Sequence, residues 1–228
     1  MPNIITRRTA LATAISAQLA AQQADKKVEL PRPPRQDPEL VFAFVRAGHA
    51  DKNLEQVKEM LAKAPALVYA TWDWGGGDWE TALGGASHIG SRVMARYLLS
   101  QGARIDSFCA AMLGYRDVLT ALVAANPSVV TAKGPHGLTL LYHAAISGDV
   151  AIAGLLKPHL PPQAKDFNQA LSAAVRDGHL AMTKWLLANG VTDLNQPDGL
   201  GKRPLAVARE KGFREIADEL MKHGGTEL

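Results

Sequence analysis

TLLYHAAISGD, residues 139–149, decides how this chain reads. A short apolar run enters a pair of alanines, and a glycine then interrupts the pattern before a second apolar run begins. The same arrangement recurs as TALGGASHIGS at 81–91, QALSAAVRDGH at 169–179 and RPLAVAREKGF at 203–213. Gly48, Gly90, Gly114, Gly148, Gly178 and Gly212 hold equivalent places, separated by 42, 24, 34, 30 and 34 residues. The following segments correspond as well: RYLLSQGARID at 96–106, KWLLANGVTDLN at 184–195 and ADELMKHGG at 217–225 each carry an apolar pair and then a glycine.

A fixed period of about 33 residues is the mark of a stacked repeat rather than of a single globular core. Two short antiparallel helices cannot bury both of their faces alone, so each pair completes its core against its neighbours. Ala86 and Ser87, Ala110 and Ala111, Ala144 and Ala145, and Ala173 and Ala174 are small enough to let successive first helices approach closely. Leu98 and Leu99, Leu122 and Val123, Leu155 and Leu156, and Leu186 and Leu187 are placed to fill the space between layers. Glycine between the two helices allows the left-handed backbone that closes the first one.

This pattern resembles the ankyrin signature, with its TPLH-like start, two small residues and a glycine ahead of the second helix. The resemblance covers residues 38–226. It implies an all-α solenoid of about six helix-turn-helix units, whose turn loops and first helices form a concave surface for an unidentified protein partner, with no cofactor.

Departures from the period are informative. The first unit has Phe44 and Val45 where the others have small residues, which suits an end unit with one unneighboured side. The last helix, FREIADELMKH, intersperses charge with Ile216, Ala217, Leu220 and Met221, as an outer helix should. The short interval between Gly90 and Gly114 leaves no room for a turn finger. The long one between Gly48 and Gly90 has residues to spare, partly in HADKNLEQ and partly in TWDWGGGDW, so an enlarged loop separates the first two units.

That loop holds three of the four tryptophans. It is no phosphate cradle, because Asp73, Asp78 and Glu80 surround its glycines with negative charge and no Gly-Lys-hydroxyl sequence follows. If the segment is extended, Trp72 and Trp74 share one face and Asp73 takes the other. Two of the three indoles are expected to fold over the joint between units. Trp72, Asp73, Trp74, Asp78, Trp79 and Glu80, with Tyr115 and Tyr142, form the candidate contact surface. The alternative is a glycan or small-molecule binder with weak hydrolytic chemistry, its indoles stacked on a sugar face.

Arg7, Arg8, Lys26, Lys27, Arg32 and Arg35 concentrate positive charge before residue 37, and the formal net charge is +3 for 228 residues. The remainder is near neutral, which argues against nucleic-acid binding. Residues 1–24, with the arginine pair and Leu11, resemble a bacterial twin-arginine export signal; 25–37 read as a proline-rich linker. The resemblance implies a periplasmic or secreted protein, and its lack implies a cytoplasmic one. The apolar run is too short to span a bilayer. Cys109 is the single cysteine and reads as a buried thiol. His49, His88, His136, His143, His159, His179 and His223 are dispersed, with no metal-ligand spacing and no adjacent nucleophile. The chain therefore reads as a monomeric, non-enzymatic binding module without a metal or catalytic site.

Overall fold

The computed structural model describes residues 35–161 and 165–227, and the compact unit spans Gln36–Leu228. The export-signal reading of 1–24 and nearly all of the linker fall outside the described residues.

Six helix pairs follow one another among the described residues. They are α1 (Pro38–Ala47) with α2 (Leu54–Lys63), α3 (Ala82–Ile89) with α4 (Arg92–Ser100), and α5 (Ser107–Leu113) with α6 (Arg116–Ala125). Then come α7 (Leu140–Ser147) with α8 (Val150–Leu156), α9 (Asp166–Arg176) with α10 (Leu180–Asn189), and α11 (Pro204–Glu210) with α12 (Arg214–Lys222). The only strands among the described residues, β1 (Thr71–Asp73) and β2 (Trp79–Thr81), form a small hairpin between the first two pairs.

Local chemistry sets the helix starts and stops. Side-chain oxygens of Thr81, Asp106 and Thr139 accept from the backbone N–H groups of Gly84, Cys109 and Tyr142, at 2.9, 2.7 and 3.1 Å. Each satisfies one of the donors that an α-helix leaves unpaired at its first turn. At the other end Gly148 is left-handed, with φ 74°. A β-carbon there would also lie 2.6 Å from the His179 ring. Gly48 differs from the other repeat glycines, because its φ is −60°. Its role is proximity: a β-carbon would meet the Ala82 carbonyl oxygen at 2.6 Å.

Neighbouring pairs are tied by more than apolar contact. The Ile146 carbonyl, near the end of α7, accepts from the Arg92 guanidinium at 3.0 Å and lies 2.9 Å from His179 Nε2. Arg92 also donates to the Met112 carbonyl at 2.8 Å. Helix-end carbonyls that would otherwise lack partners are thus bonded by the repeats on either side.

One continuous core runs through the stack. Ala86, Ala110, Ala111, Ala144, Ala145, Ala173 and Ala174 are fully or almost fully buried, and α3, α5, α7, α9 and α11 pack directly in sequence. Small residues bring the first helices close, whereas Leu98, Leu156 and Leu186 occupy the space between the second helices. In a repeat stack, a closer approach of the first helices than of the second makes the side of the first helices the inner, concave one. Only one residue of each expected pair is fully committed to the core; Leu122 is exposed while Val123 is buried.

The large side chains of the first unit are covered even though it stands at the end of the described stack. Phe44 and Val45 are fully buried, because α2, α3 and β1 all close around α1. In α12, Ile216, Ala217 and Leu220 face inward and Met221 is exposed.

Candidate functional site

The enlarged loop is a hairpin with a glycine tip. β1 and β2 pair antiparallel, Trp72 opposite Glu80 and Asp73 opposite Trp79. Gly75, Gly76 and Gly77 all have positive φ, at 117°, 66° and 87°. Three successive residues in that region require glycine, and nothing lies within 4 Å of the β-carbons they lack. Asp73 accepts from the Gly75 N–H at 2.9 Å, fixing the turn into the tip.

The tryptophans divide between two roles. Trp72 and Trp74 are half-buried against Phe42, with ring centroids 5.1 and 5.8 Å away. Trp79 is 59 % exposed. Asp73 is exposed and Asp78 half-buried. The stacked indole platform of the glycan reading is not assembled, since two of the rings are turned onto the protein.

Glu80 corrects the sequence reading most sharply. Expected at a contact surface, it is 1 % exposed. Its Oε2 accepts from the Trp74 indole N–H at 2.8 Å and lies 2.9 Å from His49 Nε2. Its Oε1 lies 2.8 Å from His88 Nδ1, and His136 Nε2 stands 3.7 Å from Oε2. Burial opposes ionisation here, but the contacts and charges of His49 and His88 outweigh it and hold the carboxyl well below the usual carboxylate range. A buried carboxylate needs such partners.

Histidines that are dispersed in sequence therefore meet in space. His49 follows α1, His88 lies in the last turn of α3, and His136 sits in the turn between the Lys133 and Thr139 bridge partners. The reason is the shortened third unit. It carries only a brief link, residues 101–106, where a finger would stand, so the hairpin of the second unit reaches across to the turn of the fourth. Asp78 accepts from the His136 backbone N–H at 2.9 Å, and its other carboxylate oxygen lies 2.9 Å from His136 Nδ1. Beneath this bridge is a cavity of about 290 Å³, lined by Asp78, Trp79, Asp106, Phe108, Lys133 and Pro135.

Tyr142 sits elsewhere on the same inner row. Its hydroxyl donates to the His88 carbonyl at 3.3 Å and accepts from Arg176 at 2.9 Å, linking the second, fourth and fifth units. It lines a larger groove of about 620 Å³, together with Ile89, Leu138, Ala173, Arg176 and Leu200. Tyr115 is not brought to either place. It is exposed at the turn after α5, at the end of that helix opposite Asp106.

Two further titratable groups, His143 and Cys109, are buried in the core. His143 is buried against Phe108, with Nδ1 2.8 Å from the Thr139 carbonyl. Burial pushes it down to about 4, despite that hydrogen bond. Burial likewise pushes the Cys109 thiol up to about 11, which keeps it protonated and unreactive. No helix among the described residues is long and apolar enough to cross a membrane.

No curated protein matches the chain. Residues 107–191 match the family model described as ankyrin repeats (3 copies), and no catalytic family is identified. Ankyrin repeats generally serve as protein–protein interaction modules and are typically non-enzymatic. The chain is mostly helical with ankyrin repeats over residues 107–191, and its stacked helix pairs are consistent with an ankyrin solenoid.

Proposed function

We propose that this chain is a non-enzymatic scaffold that binds a protein partner on its inner face, across the groove beside Tyr142 and along the rim that carries Trp79. The observation that carries this reading is the groove itself. Its wall is mostly apolar, Leu200 at its edge is 84 % exposed, and Arg176 supplies one cation. An apolar centre lined by a tyrosine and an arginine, Tyr142 and Arg176, has the make-up of an interface hot spot. Trp79 adds a second exposed anchor, and a preformed repeat scaffold lowers the ordering cost of binding.

Affinity capture from the native source tests it, using the full chain, a Trp79→Ala/Leu200→Ala double variant and a Met221→Ala control. The reading predicts a partner retained by the wild type and the control and lost by the double variant. Identical partner sets contradict it.

We also infer that residues 1–24 direct export, on the arginine pair and the alanine-rich run alone. N-terminal sequencing of the natural product tests this: a start near residue 25 supports it, and an intact Met1 or Pro2 opposes it.

A further inference from the structure

The group around Glu80 is more than a satisfied carboxylate. One ligand atom from each of Glu80, His88 and His136 lies within 4.8 Å of the other two, although the residues come from a strand, a helix and a distant turn. We propose that Glu80, His88 and His136 bind one divalent transition-metal cation of the zinc class, with His49, Trp74 and Asp78 as the groups that orient these ligands.

Donor chemistry selects the class. Two imidazoles and one carboxylate suit zinc and its first-row neighbours, whereas calcium and magnesium take oxygen ligands. Three protein ligands leave a coordination position for water or for a group from a bound molecule.

Unfinished hydrogen bonding points to the same place. Glu80 Oε1 and His88 Nδ1 are both buried and only 2.8 Å apart, yet neither makes a properly oriented hydrogen bond. Buried polar atoms are almost always satisfied, so each exception needs a physical reason. Glu80 divides its two oxygens: Oε2 takes Trp74 and His49, and Oε1 is left facing an imidazole nitrogen. A cation shared by Oε1 and Nδ1 satisfies both. Around tetrahedral zinc with bonds of about 2.0–2.2 Å the ligand atoms sit about 3.4 Å apart, so the 2.8 Å pair opens slightly and His136 moves in by side-chain rotation.

The supporting groups fit this arrangement. His136 has its Nδ1 on Asp78 and presents Nε2 toward Glu80. An imidazole held by a carboxylate through its second nitrogen is the usual outer support of a metal-ligating histidine. His136 is also the one non-glycine residue with positive φ among the described residues, at 59°. Such strain is held where the surroundings over-determine it and concentrates at functional sites. The part-exposed His136 ring and the adjoining 290 Å³ cavity give a cation a way in.

The test titrates the chelator-treated full chain with Zn2+ by calorimetry and with Co2+ by visible absorption. One Zn2+ per chain is expected, with Kd in the micromolar range or tighter, and a Co2+ spectrum typical of nitrogen and oxygen ligands. His136→Asn removes a ligand while keeping a residue that tolerates positive φ; it should weaken Zn2+ at least tenfold and leave the far-ultraviolet circular dichroism unchanged. Glu80→Gln should abolish binding, and the remote His223→Asn should not alter it. If Glu80→Gln fails to fold, His136→Asn and the wild-type Co2+ spectrum decide. Absence of saturable binding, or binding equal in wild type and His136→Asn, overturns the proposal.

Discussion

Asp78 grips His136 twice, through the backbone N–H at 2.9 Å and through the ring Nδ1 at 2.9 Å. The two residues are 58 apart in sequence, and their pairing clasps the hairpin of the second unit to the turn of the fourth. Because this clasp is part-exposed, it contributes little to global stability. Asp78→Asn should lower stability by under about 1 kcal/mol on that ground. Hydrogen exchange should nevertheless speed up across 71–81 and 133–139, since local opening is controlled by local contacts. Unchanged exchange in both segments would mean that the clasp holds nothing.

Two of the finger tryptophans, Trp74 and Trp79, should respond differently to substitution. Trp74→Phe keeps an aromatic ring on Phe42 but leaves Glu80 Oε2 without one donor, which should cost about 1–3 kcal/mol. Trp79→Ala touches an exposed side chain and should stay within about 0.5 kcal/mol. Urea unfolding of the two variants checks the order, and equal losses would contradict the division of roles.

Two left-handed glycines separate backbone strain from crowding. Gly114 (φ 78°) has nothing within 4 Å of its missing β-carbon, whereas at Gly148 (φ 74°) that carbon would strike the His179 ring. Gly114→Ala should cost about 1 kcal/mol from strain alone. Gly148→Ala adds a clash that His179 relieves only by leaving the Ile146 carbonyl, for a total of roughly 2–3 kcal/mol. Thermal unfolding that ranks them the other way would count against the inter-repeat contact.

Stability should fall in mild acid. A histidine kept neutral by burial binds fewer protons folded than unfolded, so its contribution is complete above the unfolded value near 6.5 and is lost as pH falls toward about 4. Integrated over that window, His143 accounts for up to about 3 kcal/mol. Glu80 acts below it: its lowered carboxyl stabilises the fold above about 4.5, and that contribution is lost as pH falls further. Denaturant midpoints at pH 7.5 and 5 should differ in the wild type and differ less in His143→Gln. An equal slope in both would remove His143 as the source.

The repeat was legible because each unit meets the same local demands. Thr139, the paired Ala144 and Ala145, and Gly148 announce a capped helix, a close approach and a left-handed stop within one short stretch. Glu80 was not legible in the same way, since its burial depends on His49, His88 and Trp74, which no single window contains. Still, a signal was present. The short Gly90–Gly114 interval shows that the third unit lacks a finger, and from this it follows that Asp78 and His136, on the fingers to either side, become neighbours. Phe44 and Val45 mark an end unit by their size, but the elements that bury them, α2, α3 and β1, lie in other windows of the sequence.

The proposed partner sits on the inner face and not on the outer one. A photo-crosslinking amino acid placed singly at Leu200 and at Met221, both exposed, tests it most directly in the native source. Crosslinking to a discrete protein from position 200 and not from position 221 is the predicted result. Crosslinking from 221 alone, or from neither position, would contradict the account.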